Sequence, residues 1–292
     1  MPELHLLPAQ PGVFFREEDH KYFFQGQQII EVPSSSHIIG LGGGKDFDKA
    51  PWRKSLMRKG LNERGAEYFM ERVRDIRAAI GTQFHEYAGL SLGSFEQGKI
   101  DEDSEAAAIH ALWLEHVLPR IGKVYIIEQP MIHPGGCYGF TPDLVAEVDG
   151  ILSLCDWKSN QAEHFAERYQ RLIDYAPDDE MMRGICEHLA KVDAEAGKTK
   201  ETTARVRDGW QMQQGSYTFG LESVHRLRVQ RGINFMLSVD GVKEQHWNRA
   251  DLDQGWRQFA GGLLLHHQRA ALAGGHPVFQ AALNALRPLM HR

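Results

Sequence analysis

A chain of 292 residues, 42% hydrophobic and 25% charged, has the balance of a globular protein able to bury a sizeable core, which excludes the disordered and fibrous classes. Cys137, Cys155 and Cys186 show no paired spacing and are too few for a four-cysteine zinc or iron–sulfur site, so a disulfide framework is excluded and a reducing, cytoplasmic setting is expected. The net charge of −6 gives no global attraction to nucleic acid, which leaves local basic patches or metal ions to do any such binding.

The N-terminus, MPELHLLPAQPGVFFREEDH, lacks a basic region followed by an apolar run, and no stretch reaches the roughly 18 apolar residues of a membrane span, so no membrane partner is expected. Residues 13–32 alternate short apolar runs with polar turns and read as a small β-meander or hairpin. VPSSSHIIGLGGGKDFD then interrupts regular structure. Its GGGKD is read as a flexible loop and not a phosphate loop, because the first Gly of that motif would fall at Ile39 and Asp46 replaces the hydroxyl residue.

From about 52 to 92 the pattern is helical, with Val73, Ile76, Ile80, Phe84 and Tyr87 on one stripe at spacings of three and four. Residues 104–121 form another expected helix, opened by Ser104 among acids. Strands are expected at 122–132, 138–148 and 151–158. Residues 161–208 are polar, charged and helix-prone without a dense apolar stripe, and read as an inserted helical arm. WQMQQGSYTFGLESVHRLRVQ resumes as a core helix, GINFMLSVDGVKEQHW is a hairpin, and residues 250–290 hold two closing helices. The order helix, strand, strand, strand, helix, strand describes an α/β sandwich.

Asp149-Gly150 between two apolar runs is a strong two-residue hairpin signal, since both central positions of a type I′ turn need positive φ. If Val148 pairs with Ile151, Asp143 falls directly across from Asp156, and alternation puts Lys158 on the face of Asp156 with Trp157 on the other. Opposed Cβ atoms lie about 4.5–5.5 Å apart. At an effective dielectric near 20, two negative charges at ~5 Å repel by roughly 3 kcal/mol. A shared proton, the nearby lysine or a divalent cation could offset this. Both faces around the acids are apolar, with Val145, Leu152 and Leu154 on one and Leu144, Val148, Ile151 and Trp157 on the other. That favours a sheet covered on both sides over a solvated surface ion pair.

Pro142-Asp143 followed by Asp156-Trp157-Lys158 resembles the signature of the PD-(D/E)XK nuclease superfamily, whose core has this element order. GTQFHE at 81–86 resembles the G-x-x-x-H motif of its RecB-like exonuclease branch, QQGSY at 213–217 resembles the Q-x-x-x-Y motif, and EVPSSSHII is similar to the lead-in of phage-type and mitochondrial genome-maintenance exonucleases. The resemblance covers about residues 20–270, with 161–208 unmatched. It departs from the pattern where Phe140 replaces the usual Gly three residues before the first acid, Gly139 lying one place earlier, and a bulged approach to that strand is expected.

The resemblance implies a restriction-endonuclease-like α/β core with an N-terminal β-hairpin, in a single elaborated domain over 1–292: hairpin and loop at 1–50, core at 72–160 and 209–248, helical insertion at 161–208 and closing helices at 249–292. It implies Mg²⁺ or Mn²⁺ held by His85, Asp143, Asp156 and the Trp157 carbonyl, with Glu128 as a further candidate, and no iron–sulfur cluster. Lys158 would orient or deprotonate the attacking water or offset phosphate charge, and Gln213 and Tyr217 would grip the strand. Basic patches at Arg53, Lys54, Arg58 and Lys59 and at Arg226 and Arg228 are candidate phosphate contacts. The expected partners are linear DNA with free ends and a recombination or single-strand-annealing protein. The alternatives are a structure-specific or restriction-type endonuclease on the same core and a catalytically silent DNA-binding scaffold.

Overall fold

A computed structural model describes residues 2–25, 29–41, 49–93, 99–135, 137–159, 165–197 and 208–272. A six-stranded mixed sheet runs through the centre in the order β1 (Glu3–Leu4), β5 (Ile121–Ile127), β8 (Leu144–Val148), β9 (Ile151–Ser159), β10 (Arg231–Ser238), β11 (Gly241–Trp247). The β5-β8-β9 stretch and the β10-β11 pair are antiparallel, whereas β10 runs parallel to β9 after a long helical crossover. Two smaller sheets sit beside it. β2 (Val13–Arg16), β3 (Lys21–Gln25) and β4 (Ile29–Val32) form the expected meander, and β6 (Met131–His133) pairs with β7 (Tyr138–Phe140).

Helices cover both faces, so the architecture is α/β with the sheet in the middle layer. On one side lies α3 (Glu63–Ser91), whose start is fixed by Asn62 accepting from the Gly65 N–H. Its stripe Val73, Ile76, Ile80, Phe84 and Tyr87 is buried, as the spacing predicts. Next to it α4 (Glu105–Leu112) is capped by Ser104 and continues through a π-helical turn, Trp113–Val117, where a single longer helix was expected. Phe84, Trp113, Trp157 and Phe235 interlock in this half of the core. On the opposite face, α7 (Asp208–His225) and α8 (Arg249–Leu272) bury Tyr138, Phe140, Leu154, Trp256 and Phe259. Of the two expected closing helices, the second falls on 273–292, outside the described residues, as does GGGKD at 42–46.

Four expectations are corrected. Residues 35–41, read as irregular, form α1 (Ser35–Leu41). The 122–132 strand ends at Ile127, where Glu128 adopts positive φ (43°) and Pro130 lacks an N–H to continue a ladder. The 138–148 strand divides into β7 and β8 around Thr141-Pro142-Asp143, which is the irregular approach that the Phe140 departure anticipates, broken outright and not merely bulged. The insertion is helical as expected, but it does carry an apolar stripe. Its helices α5 (Phe165–Tyr175) and α6 (Glu180–Glu195) join α2 (Lys49–Arg58) around the first half of α3, and Met182, Ile185, Cys186 and Leu189 supply an apolar stripe buried with Phe69 and Met70.

Gly139 allows the N-terminal meander to dock. A Cβ there would lie 2.0 Å from the Tyr22 ring, and Ser34 bridges to Gly139 alongside. Gly139→Ala should therefore lower stability by about 1–3 kcal/mol, read as a fall in urea midpoint at unchanged slope; an unchanged midpoint would contradict this packing.

Candidate active site

The Asp149-Gly150 turn has φ of 52° and 76°, both positive as a type I′ turn demands, and the ladder pairs Val148 with Ile151 through to Leu144 with Cys155. The predicted register is therefore the observed one. Asp143 sits at the next position, just outside β8 and facing Asp156. Its Oδ2 accepts the Trp157 backbone N–H at 2.8 Å, and its carbonyl accepts the Glu128 N–H at 3.1 Å. Asp156 is 1% exposed. Its Oδ1 accepts from Lys158 Nζ at 2.8 Å and its Oδ2 from Asn234 Nδ2 at 2.6 Å.

Each flanking layer adds side chains. From α3, His85 directs Nδ1 to Glu128 Oε1 at 2.8 Å, which fixes the ring and leaves Nε2 as the nitrogen for a ligand. Gly81 lies one turn earlier, where a Cβ would come within 3.3 Å of Ser159 Oγ, so the small residue lets α3 approach the end of β9. From α7, Gln213 Oε1 accepts from Lys158 Nζ at 3.4 Å while its Nε2 donates to the Tyr217 hydroxyl at 3.2 Å; the two are four residues apart on one helix face. Ser35 of α1 hydrogen-bonds the Tyr217 hydroxyl, and the Tyr22 hydroxyl meets Thr141 Oγ1 at 2.8 Å beside Asp143. Trp157 packs its ring on the α3 side against Phe84, Trp113 and His85, the face opposite Lys158.

The electrostatics record the conflict. Burial and the Asp156 carboxylate push the Asp143 pKa up to about 7, against the pull of His85, Lys158 and the Trp157 amide. Burial disfavours an imidazolium at His85, yet Asp143, Glu128 and Asp156 together hold its pKa above the ordinary value. Two carboxylates, an imidazole nitrogen and a backbone carbonyl are a donor set of mainly hard oxygen ligands, suited to Mg²⁺ or Mn²⁺. Among the described residues no three His, Cys, Asp or Glu side chains converge as a ready-made cage. Mg²⁺ does not require one, since it is commonly held through one or two carboxylates with water and substrate phosphates completing its shell.

His85, Glu128, Asp143, Asp156, Trp157, Lys158, Gln213 and Tyr217 are thus brought together. The Glu128 carboxylate meets His85, and its backbone N–H reaches the Asp143 carbonyl. The basic patches are elsewhere. Arg53 pairs with Glu63 and Glu67, and Lys59 with Asp193 at 2.6 Å, so both hold the helical cluster together. Trp52 of α2 packs on Phe69, sixteen residues before His85, or about 24 Å along α3 at 1.5 Å per residue, and Lys54 and Arg58 are exposed on that same remote helix. Arg226 and Arg228 follow the far end of α7, about 20 Å along that helix from Gln213. Asn234, Trp247, Ser35 and Thr141 escaped the sequence reading; an Asn inside the apolar run GINFMLSV was the available signal for the first. The chain matches no protein-family model and no curated protein.

The acid pair has a stability signature. With a folded pKa about 7 against 3.8 unfolded, Asp143 keeps a proton in the native state that the unfolded chain has lost, so stability falls as pH rises from about 4 to about 7. In chelator at about pH 8, Asp143→Asn should be more stable than wild type by on the order of 2 kcal/mol, and the gap should close near pH 4. A variant less stable than wild type at the higher pH would contradict the conflict between the acids.

Proposed function

We propose that this chain is a Mg²⁺- or Mn²⁺-dependent DNA exonuclease of the RecB-like, phage-type branch of the PD-(D/E)XK superfamily, on a restriction-endonuclease-like core. The observation that carries this reading is the meeting of Asp143, Asp156 and Lys158 at one end of a buried hairpin, with His85 arriving from one helical layer and Gln213 from the other. The Lys158–Asp156 ion pair offsets only one of the two buried carboxylates, and Asp143 keeps a raised pKa beside it.

When bound, the divalent cation supplies a water nucleophile near neutral pH and neutralises charge developing on the phosphate. Asp143, Asp156, the Trp157 carbonyl and His85 Nε2 would hold it, and Glu128 would keep the imidazole oriented. Lys158, poised between Asp156 and Gln213, would position the attacking water or accept its proton. The water oxygen bonds to phosphorus, the bond from phosphorus to the leaving nucleotide oxygen breaks, and that oxygen is protonated. Gln213 and Tyr217, tied through Ser35 to α1, would line the path of the strand. The meander and α1 lie against this side of the site, which supports a path beginning at a free end over one open to continuous duplex. Such an enzyme would act in recombination, repair or replication in the cytoplasm of a bacterium or phage-infected cell, beside a recombination or single-strand-annealing protein.

With Mg²⁺, linear DNA should be shortened progressively while covalently closed circles survive, and Lys158→Ala should lose cleavage by a factor of about 10² or more. Rapid nicking of closed circles would move the assignment to an endonuclease on the same core. DNA binding without cleavage under either metal would move it to a silent scaffold, and full activity of Lys158→Ala would remove the motif's meaning.

A further inference from the structure

Behind Asp156 lies a second pair of buried side chains that the signature residues do not include. Asn234 is on β10, directly beside Asp156 in the parallel ladder, and is 0% exposed. Its Nδ2 donates to Asp156 Oδ2 at 2.6 Å, and its Oδ1 accepts from Trp247 Nε1 at 2.6 Å. Trp247 reaches it diagonally from β11, two residues along from Gln245, the direct partner of Asn234. An indole N–H only donates, so it can face only the oxygen of the amide. The nitrogen is then turned toward the carboxylate, and no flip satisfies both contacts.

We propose that Trp247 and Asn234 are a positioning relay that presets Asp156 for a divalent cation, an inference that rests on the nuclease reading above. Asn234 holds Oδ2 and Lys158 reaches Oδ1, so the amide fixes the plane of the carboxylate and Asp156 presents Oδ1 in a set direction. Without the amide, the Asp156 carboxylate could rotate about its own axis; the Asn234 contact removes that freedom before any ligand arrives. The arrangement follows the rule that the partners behind a ligating group orient it, and losing such a partner typically weakens metal affinity by about 10–100-fold.

Calorimetric titration of Mn²⁺ into the full chain, without DNA, tests the relay. Trp247→Phe keeps an aromatic ring but frees the amide to flip, and Asn234→Leu removes the donor at similar volume. Each should weaken Mn²⁺ binding about tenfold or more, and the double variant should be no weaker than Asn234→Leu alone, because Trp247 acts only through Asn234. Melting curves in chelator check the fold; if Asn234→Leu does not fold, Trp247→Phe decides alone. Wild-type Mn²⁺ affinity in folded Trp247→Phe, or additive losses in the double variant, would overturn the relay while leaving the nuclease reading in place. Failure of wild type to bind Mn²⁺ at all would instead overturn the nuclease reading, and the relay with it.

Discussion

Two carboxylates face each other across the end of a hairpin whose sheet is covered on both sides, and the rest of the site is organised around that conflict. Two unit negative charges about 5 Å apart repel by roughly 3 kcal/mol at an intermediate dielectric, before the cost of removing either from water. Every neighbour leans against it. The Trp157 amide and His85 favour charge on Asp143, and Lys158 and Asn234 hold Asp156. These contacts are still insufficient, since Asp143 retains a pKa near neutrality. Apolar residues at the two positions would satisfy the sheet better. On the nuclease reading proposed above, the acids serve a cation and not the sheet.

The fold supplies the compensating groups from three directions. The hairpin fixes which residues oppose each other, α3 brings His85 across the end of β9 because Gly81 permits close approach, and α7 brings Gln213 and Tyr217 from the opposite layer. The N-terminal meander is tied in by Tyr22 on Thr141 and α1 by Ser35 on Tyr217, so residues distant in sequence converge on one place. The positive φ of Glu128 ends β5 at the point where its carboxylate can meet His85. A non-glycine residue in that conformation costs about 1–2 kcal/mol, offset here by two hydrogen bonds.

Local rules made much of this legible. The Asp-Gly turn gave the register by arithmetic, period-2 alternation separated Trp157 from Lys158, and the 3.6-residue stripe located the buried face of α3. Where two local rules compete, the local pattern misleads. The apolar character of 122–132 and 138–148 suggested continuous strands, but Pro130 and Pro142 remove ladder donors and turn the chain into a separate ribbon. In α6 the stripe from Met182 to Leu189 is diluted by charged neighbours, and its partners on α3 lie more than a hundred residues away. Charge density along the chain does not show which basic residues are paired: Arg53 and Lys59 meet acids that only the tertiary structure brings near. Asn234 and Trp247 were invisible for the same reason: each looks like an isolated strand residue until β10 and β11 are laid beside β9.

On the nuclease reading a divalent cation resolves the opposition of Asp143 and Asp156. Anomalous diffraction from crystals grown with Mn²⁺ addresses it directly. A single strong peak is expected between the two carboxylates, within coordination distance of both, and no peak there in crystals of Asp156→Asn. Manganese found only elsewhere on the protein, with the Asp143 and Asp156 side chains unchanged, would contradict it.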